Sequence, residues 1–165
     1  MTRLLGIDLG ERRIGLALAE GDGSSARPFA TLRRGRDQAT DAAALGAIID
    51  KEAIDELVVG LPLEASGAEG PQAKLTRVWA SGLEARLGLP VGYRDERLSS
   101  HLAETRLGPM KRGRSGGPPS KTQRDVYRAR VDREAAAIIL QDELDTRAGL
   151  RSSLPRTEDP QESNT

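Results

Sequence analysis

Asp8, Glu96 and Asp132 are the residues of this 165-residue chain whose types and settings could do chemistry. Asp8 interrupts LLGIDLG, residues 4 to 10, which otherwise reads as a buried strand. A charge there is costly unless something compensates it. Glu96 follows the strand-like segment Pro90 to Arg94, and Asp132 shares a helix face with Ala135, Ala136 and Ile139, at spacings of three, four and seven. If the strands ending at Leu9 and Arg94 run parallel in one sheet, Glu96 falls near the C-terminal edge, where open sheets place ligands. Alanines on its face would let the helix bring Asp132 close to Asp8. Three converging carboxylates repel one another, so they need raised pKa values or a divalent cation between them. Oxygen donors alone favour Mg²⁺ or Mn²⁺, and paired ions of this kind activate water against a phosphodiester.

Composition narrows the alternatives. The chain has no cysteine and one histidine, His101, which excludes disulfides, thiolate zinc sites and most Ser-His or Cys-His machinery. His101, on a short helix, reads as a surface residue. No run approaches the roughly 20 apolar residues of a membrane span, and the N-terminus lacks a secretory apolar core, so a cytoplasmic protein without a membrane partner is expected. The formal net charge is zero, yet residues 106 to 133 hold nine Lys/Arg against Asp125 and Asp132, a net of +7. Positive charge concentrated in the segment leading to Asp132 suits a polyanion, the competing reading being a solvated loop. Tyr127, amid these arginines, could stack on a base but reads better as a core-packed helix residue.

The elements that must position these groups follow from periodicity. Residues 3 to 9 and 13 to 19 alternate as a hairpin around Gly10-Glu11-Arg12, and Pro28 to Leu32 extends the meander. A helix from Asp37 to Glu52 carries Ala44, Leu45, Ile48 and Ile49, with Asp37 or Asp41 as its cap. ELVVGLP, 56 to 62, is a continuous apolar run typical of a buried parallel strand. Pro71 opens a second helix, with Leu75, Val78, Trp79, Leu83 and Leu87 along one stripe and Gly88 as its stop. After Pro90 to Arg94 a short helix reaches about Leu107, residues 108 to 122 (GPMKRGRSGGPPSKT) form a flexible loop, and a last helix spans about 123 to 147. The loop from Gly60 to Gly70 could cradle phosphate through its backbone. The order predicts an α/β protein with a mixed five-stranded sheet and helices on both faces. One domain, 1–148, is expected, with 149–165 as a polar, disordered tail.

Four segments, GIDLGERRIGLALAE, VVGLPLEASGAEGPQA, DERLSS and VDREAAAIILQDELD, occur in an order and spacing that resemble the YqgF/RuvX nucleases, relatives of the RuvC-type Holliday junction resolvases. The resemblance runs to about Arg147 and implies a ribonuclease H-like fold, divalent-metal phosphodiester hydrolysis and Asp8, Glu96 and Asp132 as the acidic site. It also implies a role in processing the precursor of small-subunit ribosomal RNA. The chain departs from relatives in its Gly- and Pro-rich basic loop and in Tyr-Arg-Ala-Arg before Val131. Arg97, Lys111, Arg112, Arg114, Lys121, Arg128 and Arg130 are expected to hold nucleic acid, RNA being favoured over branched or single-stranded DNA. A monomer or homodimer fits. A junction-resolving DNA endonuclease, an ATPase phosphate loop and a binding module with a vestigial site are the competing readings.

Overall fold

The computed structural model describes residues 2–20 and 24–153, with side chains as far as Gly149. Five strands, β1 (Arg3–Leu9), β2 (Arg13–Glu20), β3 (Arg27–Arg33), β4 (Glu56–Leu61) and β5 (Val91–Asp95), form one sheet in the order β3-β2-β1-β4-β5. The β1–β2 and β2–β3 pairs are antiparallel, whereas β1–β4 and β4–β5 are parallel. The sheet is therefore mixed, as the meander followed by alternating elements predicts. Its centre is β1, and both faces of that strand are covered.

Two helices, α1 (Gln38–Glu52) and α2 (Pro71–Leu87), pack on the face that carries Leu5, Ile7, Leu16 and Val59. Asp37 caps α1 through the Thr40 amide, while Asp41 is buried beneath it. Gly88 ends α2 in the left-handed region, with φ of 67°. The buried stripe of α2 is Ala73, Thr76, Trp79, Ala80 and Leu83. Leu75 and Val78, expected among the core positions, are 64% and 72% exposed. Spacings of three and four fit either stripe, and small Ala73 and Ala80 are what permit the helix to lie close to its neighbours.

The opposite face is covered by α4 (Lys121–Ser153), with α3 (Ser99–Leu107) leaning on it through Ala103, Val131 and Ala135. Ala135 thus faces α3, and it is Ala136, Ile139 and Leu140 that rest on the sheet with Leu4 and Val58. The helix begins at a reciprocal cap, in which Gln123 N–H donates to Ser120 Oγ and Ser120 N–H donates to Gln123 Oε1. It does not stop near 148 but runs to Ser153; the rest of the expected tail, 154–165, lies outside the described residues. Residues 108–120 are irregular, as expected, and are tied to α4 by bonds from Tyr127 Oη to Gly108 O and from Gln123 Nε2 to Arg112 O.

The approach of α4 is possible because the sheet lacks side chains beneath it. A Cβ on Gly15 would lie 2.0 Å from the Asp132 carbonyl oxygen, and one on Gly6 would lie 2.9 Å from that of Ala136. Gly15→Ala is therefore expected to cost about 2–3 kcal/mol in urea denaturation, because helix backbone cannot yield as a flexible side chain can. Val78→Ser, on the exposed stripe of α2, should change stability by no more than about 0.5 kcal/mol.

Candidate active site

Asp8 lies at the C-terminal half of β1, directly across the ladder from Gly15 on β2. On the other side β4 runs parallel in the register Ile7↔Val59, which brings Gly60 alongside Asp8 on the same face. The acid thus stands in a trough with no side chain on either flank. Each gap is filled from elsewhere: the α4 backbone at Asp132 lies over Gly15, and the Glu96 side chain lies over Gly60. A Cβ on Gly60 would come within 2.6 Å of Glu96 Oε2 and 2.5 Å of Ile139 Cδ1. Gly60 therefore makes room for an acid, a more specific part than the phosphate-cradling backbone expected of its loop. Of the two glycines nearest Asp8 in sequence, Gly6 admits α4, while Gly10 closes the hairpin through its N–H to Arg13 O at 2.8 Å.

The electrostatics match this crowding. Asp8 is 8% exposed, and burial pushes its carboxyl above the usual range, with the Asp132 charge adding to the shift and a hydrogen bond to Glu96 opposing it. Glu96 is pushed up to about 10, first by burial and then by the charge of Asp8 and the hydrogen bond between them. At neutral pH the pair therefore retains a proton, and the titration belongs to both residues together. Asp132 is turned to a cation: Arg13 Nε donates to its Oδ2 at 2.6 Å. Among the described residues no three acids converge tightly enough to form a ready-made cage. The arrangement is a contacting pair with a third carboxylate beside it, engaged by an arginine.

The cations expected to hold nucleic acid are dispersed. Arg97 is folded back onto Asp95, at 2.7 Å, and onto Ala65 O, at 3.1 Å, where it pins the loop after β4 to the acidic turn. Lys111 and Arg130 line a depression against Tyr127, and Arg112 donates to Gly116 O. Arg114 and Arg128 are exposed, the latter one turn before Asp132. Lys121 stands apart from these, in a cleft with Arg12, Arg33 and Arg34. Tyr127 packs with Val131 and Ala135, and His101 is exposed on α3. On the Glu96 side a cavity of about 740 Å³ has apolar walls from Leu63, Leu98, Leu102 and Ile138. Arg13 and Gly15 are the residues beside the acids that periodicity alone missed, whereas Gly60 stands out in the sequence only as the start of a candidate phosphate loop. A signal for Gly15 existed, since folding the hairpin about Gly10-Glu11-Arg12 sets it opposite Asp8.

Burial of a shared proton makes stability depend on pH in a definite direction. Below the ordinary value of 4.5 Glu96 is protonated folded or unfolded, whereas above it only the unfolded chain ionises until about 10. The metal-free protein therefore loses stability as pH rises through that window. In EDTA the melting temperature of wild type should fall between about pH 6 and about pH 9 more steeply than that of Glu96→Gln, which should be the more stable at the upper end. Parallel slopes would show that Glu96 is ionised in the folded protein.

Comparison with known proteins identifies the family. A family model, RuvX, described as Holliday junction resolvase, matches residues 2–146. A protein of Anaeromyxobacter dehalogenans (strain 2CP-C) that carries the provisional name pre-16S rRNA nuclease is 47% identical over 146 residues, covering 88% of this chain and 98% of its own length. One of the same name from Paramagnetospirillum magneticum is 41% identical over 147 residues, covering 89% and 88%. Among solved structures, T. thermophilus RuvC in complex with Holliday junction substrate superimposes with a TM-score of 0.52 at 15% identity, over 90% of this chain and 97% of that one. That likeness shows a ribonuclease H-like fold. With the match spanning nearly all of the described chain, the protein belongs to the RuvX (YqgF) family of nucleases.

Proposed function

We propose that this protein is a divalent-metal-dependent nuclease that hydrolyses phosphodiester bonds during processing of the 16S ribosomal RNA precursor. The observation that carries the reading is Asp8 in its glycine-flanked trough, hydrogen-bonded to Glu96 and beside Asp132. The donor set fits Mg²⁺ or Mn²⁺: it is all hard oxygen, and Mg²⁺ is commonly held by one or two carboxylates plus water. Asp8 and Glu96 would supply the first donors, and Asp132 would join them on leaving Arg13. Bound there, the ion supplies Lewis-acid stabilisation and a water of lowered pKa. The chain's own part is to hold Asp8 where it cannot swing, to release the Glu96 proton on loading, and to present a phosphate to the acids from the cationic side. The relatives' names support RNA as substrate. The reading also places the protein in the cytoplasm as a monomer or homodimer. Among the described residues no helix is long and apolar enough to cross a membrane.

The family description and the RuvC-like fold favour one second reading, a junction-resolving DNA endonuclease. Symmetric cutting of two strands would require a two-fold dimer. The discriminating assay offers end-labelled ribosomal RNA precursor, single-stranded RNA and a four-way DNA junction to wild type and Asp8→Asn, with Mg²⁺ or Mn²⁺. RNA cleavage that falls on the order of 10³-fold in Asp8→Asn is the expected outcome. Paired cuts confined to the junction would select the resolvase instead. Loading should also release protons, because a carboxyl that titrates near 10 must ionise to bind metal. Calorimetric titration of wild type with MgCl₂ in buffers of different ionisation enthalpy should show about one proton released per site near pH 7.5. Heats that do not vary with buffer, in a protein whose melting profile shows Glu96 protonated, would remove Glu96 from the ligand set.

A further inference from the structure

A cleft of about 620 Å³ opens between the β1–β2 hairpin, the end of β3 and the first turns of α4. Its walls carry five cations, Arg12, Arg13, Arg33, Arg34 and Lys121, against two acids, Glu11 and Asp125. Arg12, Arg33 and Lys121 are exposed and form no ion pair with any described residue. Nothing within the described fold consumes their charge. Clustered cations repel one another, so the arrangement suits an anion that arrives from outside.

The walls are built on constrained backbone. Arg34 donates to Gly10 O at 3.2 Å and pairs with buried Asp41 at 3.6 Å, while its N–H donates to Arg12 O at 2.9 Å. Asp41 in turn accepts from Gly35 N–H at 2.7 Å and from the Trp79 indole at 3.3 Å. Hairpin, β3 end and α1 are thereby joined beneath the cleft, which fixes the stems of Arg12 and Arg33 relative to each other. The cleft also shares a wall with the acidic site, since Arg13 lines it and bonds Asp132 at 2.6 Å. Along α4, Lys121, Asp125, Ala129 and Asp132 follow one another at helical spacing on that side.

We propose that this cleft binds the sugar–phosphate backbone of the strand immediately flanking the cut, through Arg12, Arg33 and Lys121. The inference rests on the nuclease reading for the path of the strand. Contacts of this kind position a substrate without reading its sequence. They supply the continuous cationic track that the dispersed loop arginines do not.

The test is fluorescence anisotropy with a labelled single-stranded RNA of about 12 nucleotides and its DNA counterpart, in EDTA, across a salt series. Arg12→Ala/Arg33→Ala is expected to weaken binding about tenfold near 0.1 M salt and to lessen the log–log salt slope by about 1.4, the share of two phosphate contacts. Arg12→Lys/Arg33→Lys should keep the slope, and Lys51→Ala, which removes a charge from the last turn of α1, away from the cleft, should change nothing. Wild-type affinity and slope in the double alanine variant, with its melting temperature unchanged, would overturn the cleft. So would a wild-type protein that binds neither oligomer. Because binding is read without metal, the two readings separate. Lost affinity with no cleavage by wild type in any metal would remove the nuclease and keep the cleft, whereas intact affinity with active cleavage would do the reverse.

Discussion

The site depends on what is missing around Asp8. A strand acid in the middle of a covered sheet is tolerable only if groups that compensate it can come within contact, and ordinary neighbours on β2 and β4 would hold them off. Gly15 and Gly60 remove those neighbours. Helix backbone takes one vacated position and Glu96 takes the other, so an acid pair forms between β1 and the turn after β5, with Asp132 of α4 beside it. The price is a sheet that cannot accept even a methyl group at Gly15, where helix backbone lies, and at Gly60 could accept one only by displacing the Glu96 and Ile139 side chains.

The two flanks of this assembly differ in kind. Beyond Glu96 the walls are apolar, with Leu63, Leu98, Leu102 and Ile138, and Arg97 there is neutralised by Asp95. Beyond Asp132 they are cationic. On the proposed reading, this asymmetry would favour one orientation of a polyanionic strand across the acids.

Much of this was legible in the sequence because it was written in local pattern. The strand alternation around Asp8, the apolar run of β4 and the Gly-Pro punctuation of α2 each depend on neighbours a few residues apart, and the elements they predict are present. The direction α2 faces was not legible, since Leu75 and Val78 satisfy helical spacing as well as Ala73 and Ala80 do, and only packing decides between them. Arg33 and Arg34 escaped notice for a related reason. They sit at the end of an edge strand, and their significance appears only when the meander places them beside the start of α4, nearly ninety residues away in sequence. The basic segment drew attention by density, yet density along the chain did not gather its arginines into one surface.

The ion pair between Arg13 and Asp132 bears on how the protein comes into being. With Asp132 matched by an arginine and one proton held between Asp8 and Glu96, the acids are largely neutralised from within. The core thus needs no ion to close over these acids, unlike small zinc domains in which metal uptake and folding are a single event. On the proposed metal-dependent reading, synthesis and metallation would be separate steps in the life of the molecule, and the supply of metal would govern how much of the folded pool is armed, not how much of it exists.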